Sequence, residues 1–217
     1  MARRRVAVLI SGRGSNMQAL IDAARQPDYP AEIVRVISNV PGAGGLARAA
    51  AAGIATETVD HKKFANRPAF EAALDTSLKA CGTELICLAG FMRLLTPGFV
   101  DSWRDRMINI HPSLLPAFPG LDTHTRALKA GVRLAGCTVH FVRAEMDNGP
   151  ILVQAAVPIL PGDSEERLAA RVLAAEHRAY PLALSLVASG RARVTGDTVA
   201  IDGQAATDGL LINPAGA

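Results

Sequence analysis

An amide and an imidazole stand two residues apart in the segment Asn109-Ile110-His111-Pro112. On an extended chain, both side chains project from one face of a strand. An amide N–H can stabilise an oxyanion and an imidazole can move protons near neutral pH, which is the chemistry of acyl transfer to an amine. The same residue types also suit a turn-forming asparagine and a hydrogen-bonded core histidine, so the spacing alone leaves both interpretations open.

A carboxylate, Asp147, lies in the polar turn 145–150 between two apolar segments. A carboxylate here can orient an imidazole or a water molecule and relay protons between an incoming amine and a leaving nitrogen. Turn formation by itself also selects Asp, Asn and Gly, so the residue is explained without chemistry as well.

The glycine-rich segment Gly12-Arg13-Gly14-Ser15-Asn16 separates an apolar run from a helical pattern. Backbone N–H groups at the start of a helix, together with the helix dipole, favour an anion such as phosphate. The segment lacks the third glycine of a dinucleotide fingerprint and the Lys-Ser/Thr of a nucleoside triphosphate loop. A phosphate site and a plain tight turn are therefore both open.

Strand and helix patterns alternate through the first half of the chain, and these elements must position the polar groups. Apolar runs predict strands at 6–10, 32–38, 55–59, 85–89 and 107–110. Helical spacing predicts helices at 16–25, 44–52, 67–81 and 97–104. Because such alternation requires parallel strands joined by right-handed crossovers, we expect an α/β fold with an open, mostly parallel sheet and helices on both faces.

The pattern changes after Pro112, where prolines and glycines follow in irregular order. Two strand-like segments are separated by the turn that contains Asp147, so we expect antiparallel additions in the C-terminal half. Ser164 is expected to cap a long helix. The predicted elements are a surface loop at 113–123, a helix at 125–130, strands at 137–141 and 151–157, a helix at 164–188, a hairpin at 193–202 and a loose tail at 205–217.

The composition is that of an ordinary globular protein, since 49% of the 217 residues are hydrophobic and 20% are charged. This length suits one substantial core, so we expect a single domain over 1–217. The net charge of +3 is small and comes in part from Arg3-Arg4-Arg5, at an end that solvent can surround, which argues against nucleic-acid binding. Three cysteines without CxxC spacing favour a reducing, cytoplasmic compartment, and no apolar run is long enough to predict a membrane span.

Four ordered motifs resemble those of the folate-dependent phosphoribosylglycinamide formyltransferases of purine biosynthesis. The motifs are residues 8–16 (VLISGRGSN), 88–93 (LAGFMR), 109–116 (NIHPSLLP) and 147–150 (DNGP). The resemblance runs from about Val6 to at least Pro181 and implies a Rossmann-like formyltransferase fold. It implies a phosphate-binding half at 1–110, a folate-binding and catalytic half at 111–190, and a C-terminal hairpin and tail at 191–217.

By this resemblance, the amine of glycinamide ribonucleotide attacks the formyl carbon of 10-formyltetrahydrofolate, with no metal involved. Asn109 would hold the formyl oxygen, His111 would stabilise the developing oxyanion, and Asp147 would position a water that carries the proton. Residues implied for the substrate phosphate and ribose are Gly14, Ser15, Asn16 and Glu176. Residues implied for the folate are Arg67, Met92, Arg93, Leu94, Leu95, Asn109, Arg143, Ala144, Glu145, Met146 and Asp147, with His140 and His124 close to the site. The implied assembly is a monomer or homodimer.

One position departs from the family pattern, because Asp122 stands where members often carry histidine. The departure weakens any role that the resemblance implies for this position of the loop 113–123, and it leaves the three catalytic positions unchanged.

Two other enzymes on the same scaffold are the nearest alternatives, a methionyl-tRNA formyltransferase and a formyltetrahydrofolate deformylase. The first would be expected to add a large basic C-terminal domain and the second an N-terminal regulatory domain. With a first strand at Val6 and little chain after Ala188, we expect neither. A folate- or nucleotide-binding module without catalysis is the alternative from another class, and the intact trio of Asn109, His111 and Asp147 argues against it.

Overall fold

The computed structural model describes residues 2–203, 209 and 211–214. Its strands are β1 (Arg4–Ile10), β2 (Ala31–Ser38), β3 (Thr56–Thr58), β4 (Leu85–Leu88), β5 (Met107–His111), β6 (Leu134–Phe141), β7 (Ile151–Pro158), β8 (Ala192–Thr195) and β9 (Thr198–Ile201). Its helices are α1 (Ser15–Ala24), α2 (Gly44–Ala51), α3 (Arg67–Ala80), α4 (Pro97–Ser102), α5 (Thr123–Ala130) and α6 (Glu165–Ala188), with a 3-10 turn at His61–Lys63.

The main sheet has seven strands in the order β3-β2-β1-β4-β5-β6-β7. The pairs from β3 to β5 are parallel, whereas β5 pairs with β6 and β6 with β7 in antiparallel register. Both the mostly parallel sheet and its antiparallel additions were predicted, and both are confirmed. Strands β8 and β9 form a separate two-stranded sheet, which confirms the predicted hairpin.

Helices cover both faces of the sheet, as the continuous apolar strands require. In β1, Val8 and Ile10 belong to a core cluster shared with α1 and α6, while Ala7 and Leu9 belong to a second cluster shared with α3 and α4. All four side chains are 0% exposed. The alternation along one strand therefore places half of its side chains in each core.

The order of the strands reverses at β1, because the chain moves outward to β2 and β3 and then returns to β4 on the other side. In open α/β sheets, a crevice for ligands forms beyond the carboxyl ends of the strands at such a point. Tyr180 of α6 connects this helix to two strands of the sheet: its hydroxyl lies 2.9 Å from the Leu88 carbonyl of β4 and 3.1 Å from the Ile108 carbonyl of β5.

The first strand begins two residues earlier than the apolar run predicted. Arg4 pairs with Glu84 at 2.6 Å and Arg5 with Glu32 at 3.1 Å, so these two arginines belong to the strand while their side chains stay exposed to solvent. Similarly, β6 begins at Leu134, three residues before the predicted strand. Main-chain pairing carries both strands beyond their apolar cores, and apolar patterns do not register such pairing.

The long helix begins where its capping residue predicted. Ser164 Oγ accepts a hydrogen bond from the Arg167 N–H at 3.3 Å, and Glu165 and Glu166 occupy the first turn. The predicted tail at 205–217 falls largely outside the described residues, since 204–208, 210 and 215–217 are not among them. Among the helices of the described part, none combines the length and apolar character needed to cross a bilayer.

Candidate active site

Strand β5 presents Asn109 and His111 at its carboxyl end, with Asn109 opposite His140 and His111 opposite Thr138 in β6. Residues two apart on a strand share a face. His111 Nδ1 lies 3.4 Å from Asp147 Oδ2, and the Asn109 amide nitrogen lies 3.2 Å from His140 Nε2, which is itself 3.9 Å from Asp147 Oδ1. His111 is 6% exposed and His140 is 2% exposed, so these rings work in surroundings that hold little water.

The two nitrogens of His111 have different partners. Nε2 lies 3.0 Å from the carbonyl oxygen of Phe118, and because a carbonyl can only accept, Nε2 carries a proton. Nδ1 faces Asp147 Oδ2 at 3.4 Å. In the neutral ring, Nδ1 would turn a lone pair toward this carboxylate, whereas in the imidazolium it turns an N–H toward it. The carboxylate therefore meets an N–H of this ring only when both ring nitrogens carry a proton.

Asp147 is held in its turn by backbone geometry. Its φ is 55°, in the left-handed region where Asp and Asn are the most tolerated residues after glycine. Its Oδ2 accepts a hydrogen bond from the Gly120 N–H at 2.8 Å, and its side chain is only 9% exposed. At Gly149, a Cβ would lie 1.6 Å from the Phe141 carbonyl oxygen, so only glycine allows the turn to return to β7 at this point.

His140 orients the amide of Asn109. Its Nδ1 donates to the Phe141 carbonyl at 3.1 Å, which leaves the Nε2 lone pair facing the Asn109 amide nitrogen at 3.2 Å. Burial lowers the pKa of His140 below that of a free imidazole; the Phe141 hydrogen bond and the charge of Asp147 oppose this effect, and His111 adds to it. The neutral ring fixes one amide N–H of Asn109, and the other has no hydrogen-bond partner among the described residues, so it is available to a ligand.

The glycine-rich turn between β1 and α1 brings a helix N-terminus to the same edge of the sheet. Gly14 has φ 73°, and a Cβ there would lie 2.9 Å from the Gly45 Cα. The Gly45 N–H donates to the Gly12 carbonyl at 3.0 Å, which fixes the turn against α2. Gly14 precedes the helix and has no side chain to cap it, so the first N–H groups of α1 are suited to an anion.

Asn16 and Glu176 connect this turn to α6. The Asn16 amide donates to Glu176 Oε2 at 2.8 Å, and Glu176 is 6% exposed. Burial raises the pKa of Glu176 above its usual range, and the hydrogen bond from Asn16 partly offsets this. Asn16 Oδ1 is buried and has no partner among the described residues, so one acceptor beside the turn is left for a ligand hydroxyl or water.

Several residues implied for the folate lie on segments that flank the trio. After β4, the Met92 N–H donates to Ser11 Oγ at 2.8 Å, which fixes this segment to the end of β1. Met92, Leu94 and Met146 are 65%, 58% and 58% exposed. Arg93 Nε is buried and unpartnered within the described chain, while Leu95 is half-buried and Ala144 and Glu145 are exposed.

Other predicted residues are not joined to the trio. Arg67 is exposed at the start of α3, and no hydrogen bond or ion pair links it to the described site residues. The Arg143 guanidinium pairs with Asp105 at 2.6 Å. His124 is half-buried, and its pKa is lowered chiefly by burial, with Glu165 opposing and His111 adding to the shift. Asp122 has φ 55° and precedes α5 without capping it.

Two contributors to the site were missed from the sequence, the carbonyl of Phe118 and the N–H of Gly120. Both are backbone groups, which every residue type supplies, so residue identity carried no signal for them. In the described residues, no three His, Cys, Asp or Glu side chains are grouped so as to hold a metal ion.

Comparison with known proteins identifies relatives of this chain. Residues 4–184 match the model of the formyl transferase family. The chain is 45% identical to the phosphoribosylglycinamide formyltransferase of Escherichia coli, over 92% of this chain and 94% of that protein. The solved structure of glycinamide ribonucleotide transformylase 1 from Symbiobacterium toebii superposes with a TM-score of 0.89 at 49% identity, covering 92% of this chain and 94% of that one.

A longer relative is the trifunctional purine biosynthetic protein adenosine-3 of Drosophila melanogaster, which is 54% identical over 89% of this chain. The match spans 14% of that protein, and the chain covers 14–19% of the length of the trifunctional relatives from other animals. The shared region therefore corresponds to one part of these larger proteins.

Proposed function

The chain belongs to the formyl transferase family, and we propose that it transfers the formyl group of 10-formyltetrahydrofolate to the amine of glycinamide ribonucleotide in purine biosynthesis. The products are formylglycinamide ribonucleotide and tetrahydrofolate. The observation that carries the proposal is the meeting of Asn109, His111 and Asp147 at the carboxyl edge of the sheet, where the turn after β1 also lies.

The turn at Gly14, Ser15 and Asn16 binds the phosphate of the ribonucleotide through the N–H groups that open α1. Glu176 and the unpartnered Asn16 Oδ1 accept hydrogen bonds from the ribose hydroxyls. Phosphate and ribose together fix the position of the attached amine, and such positioning turns the attack into an effectively unimolecular step.

The residues beside the trio fit a folate. Met92, Leu94 and Met146 offer exposed apolar area to the flat ring system, although large apolar side chains are normally buried. Arg93 has a buried Nε free to pair with a carboxylate. Arg67 and the backbone of Arg143, Ala144 and Glu145 complete the folate side, with Leu95 behind them. The bound donor supplies the formyl group and a nitrogen that leaves once it is protonated.

Charge that develops on the formyl oxygen during attack is stabilised by two groups, an amide N–H and a cationic ring. Asn109 gives the amide N–H that His140 leaves free, and its orientation is fixed before the reaction begins. His111 acts through the positive charge of its protonated ring and not through a hydrogen bond, because the Phe118 carbonyl and Asp147 face its two nitrogens. The amide and the ring are both held before the reaction begins, which makes them effective in the transition state.

The attacking amine must lose a proton and the leaving nitrogen must gain one. Asp147, through a water on its carboxylate, accepts the first proton and returns it to the leaving nitrogen, so no net proton is consumed. His124 is near enough to His111 for that residue to lower its pKa, and the proposal assigns His124 no direct part in the proton transfer. The chain acts as one domain in the cytoplasm, as a monomer or homodimer, without nucleic acid and without a metal.

The proposal is tested by comparing glycinamide ribonucleotide with its dephosphorylated riboside as formyl acceptors. We expect kcat/KM for the riboside to be lower by about a hundredfold or more, because binding energy from the phosphate is used to position the amine. Absence of transfer to the ribonucleotide would refute the assignment. Equal rates with both acceptors would remove the phosphate role of the turn at Gly14–Asn16.

A further inference from the structure

The loop 118–121 supplies two backbone groups to the candidate site. The Phe118 carbonyl accepts from His111 Nε2 at 3.0 Å, and the Gly120 N–H donates to Asp147 Oδ2 at 2.8 Å. The placement of both the imidazole and the carboxylate thus depends on an irregular segment. Phe118 adopts a φ of 55°, which costs a non-glycine residue free energy, so other contacts must hold the loop in this conformation.

Arg126, in the first turn of α5, reaches back over this loop. One of its terminal nitrogens, Nη1, donates to the carbonyl of Pro119 and, at 3.3 Å, to that of Leu121. Its guanidinium carbon lies 5.6 Å from the centre of the Phe118 ring. A single side chain therefore contacts three of the four loop residues. Its contacts are charge-assisted hydrogen bonds and a cation above an aromatic ring, both of which are stabilising.

We propose that Arg126 is a positioning residue for formyl transfer: it holds the loop 118–121 so that the Phe118 carbonyl fixes His111 and the Gly120 N–H fixes Asp147. The inference rests on the proposed function. Arg126 itself is exposed and forms no hydrogen bond or ion pair with His111 or Asp147, so it acts through the loop. Its planar guanidinium meets a ring and two carbonyls at once, which an ammonium group cannot do equally well.

The effect is expected on the chemical step and not on the binding of the ribonucleotide, whose phosphate turn lies on α1. We expect Arg126→Gln to lower kcat by between about tenfold and a hundredfold, since a shift of about 1 Å in catalytic groups costs that much. The KM for glycinamide ribonucleotide should stay within about twofold of wild type. Arg126→Lys, which keeps the charge, should have a kcat between those of wild type and Arg126→Gln.

A matched control is Lys129→Gln, which removes an exposed cation from the same helix and should leave kcat unchanged. The discriminating readout is the NMR signal of the His111 Nε2 proton. It should exchange slowly with solvent in wild type and in Lys129→Gln, and measurably faster in Arg126→Gln, because its carbonyl acceptor is no longer fixed. A purely structural role for Arg126 would lower thermal stability without changing this proton.

The outcomes separate the two proposals. If wild type formylates the ribonucleotide and Arg126→Gln keeps both its kcat and its His111 signal, the positioning role is wrong. If wild type has no transfer activity while the His111 signal still depends on Arg126, the proposed function is wrong, but Arg126 still positions His111 through the loop 118–121. Should Arg126→Gln not fold, the same kinetic and NMR comparison is made on Arg126→Lys, and a wild-type result there overturns the proposal.

Discussion

Replacing Asp147 by Asn removes one negative charge from the site with little change of shape. The residue has φ 55°, a conformation that Asn tolerates about as well as Asp, so the turn should be kept. The amide oxygen can still accept the Gly120 N–H. The variant therefore isolates the charge that faces His111 and the capacity to accept a proton.

The size of the effect follows from the contact itself. Two unit charges 3.4 Å apart, the separation of His111 Nδ1 and Asp147 Oδ2, interact by about 5 kcal/mol at an effective dielectric constant of ~20. Since each ~1.4 kcal/mol of barrier is tenfold in rate, full loss of this interaction corresponds to about three to four orders of magnitude in kcat. Loss of the proton acceptor acts on the same step, so we expect a fall of about a thousandfold or more.

The assay is single-turnover formyl transfer, with folate affinity measured separately by titration of a non-reactive folate. We expect the Kd for that folate to change by less than about threefold, because the charge acts in the transition state. Asp101→Asn, which removes an exposed carboxylate paired with Arg104, serves as the control and should react like wild type. A kcat within about tenfold of wild type for Asp147→Asn would refute the charge and relay argument.

Three further changes test other parts of the site. Burial raises the pKa of Glu176 above 4.5, so the stability that its protonated carboxyl contributes is lost as pH rises through this raised pKa. We therefore expect Glu176→Gln to raise Tm relative to wild type at about pH 8 but not at about pH 4. The same variant should raise KM for the ribonucleotide, and an unchanged KM would exclude a substrate contact. Gly14→Ala places a methyl group 2.9 Å from the Gly45 Cα, so urea unfolding should show that the free energy of unfolding falls by about 1–3 kcal/mol. Relative to wild type, KM should rise more for the ribonucleotide than for the folate. A free energy of unfolding equal to that of wild type would contradict the close approach. Burial holds the pKa of His140 below 6.5, so wild type loses stability as pH falls below 6.5. The Tm of His140→Phe should therefore depend less on pH between about 5.5 and 7.5 than that of wild type, and its kcat should fall because the Asn109 amide loses its acceptor. A pH dependence of Tm equal to that of wild type would count against a buried neutral ring.

Local patterns predicted most of the fold because each strand carries its own signal. The apolar run at Val6–Ile10 and its alternation between two cores are visible in the sequence, and so is the Ser164 cap. The ends of β1 and β6 were misjudged because ion pairs and main-chain pairing with distant segments extend them. The 3-10 turn at His61–Lys63 was not predicted, since a single turn has no periodicity.

The candidate site was predicted only where neighbours in sequence are neighbours in space. Asn109 and His111 share a face because they are two apart on one strand. Their approach to Asp147 was expected from the family resemblance and not from spacing. The contribution of the loop 118–121 and the role of Arg126 depend on a backbone conformation that joins residues from separate elements, and no pattern of residue types encodes it.

The central claim is that this chain formylates a phosphorylated amine and not water or a nucleic acid. The most direct measurement offers 10-formyltetrahydrofolate with an isotopically labelled formyl group to a mixture of glycinamide ribonucleotide, charged initiator tRNA and water, and follows where the label goes. We predict that nearly all of it appears in formylglycinamide ribonucleotide. Label released mainly as formate, or attached mainly to the tRNA, would contradict the claim.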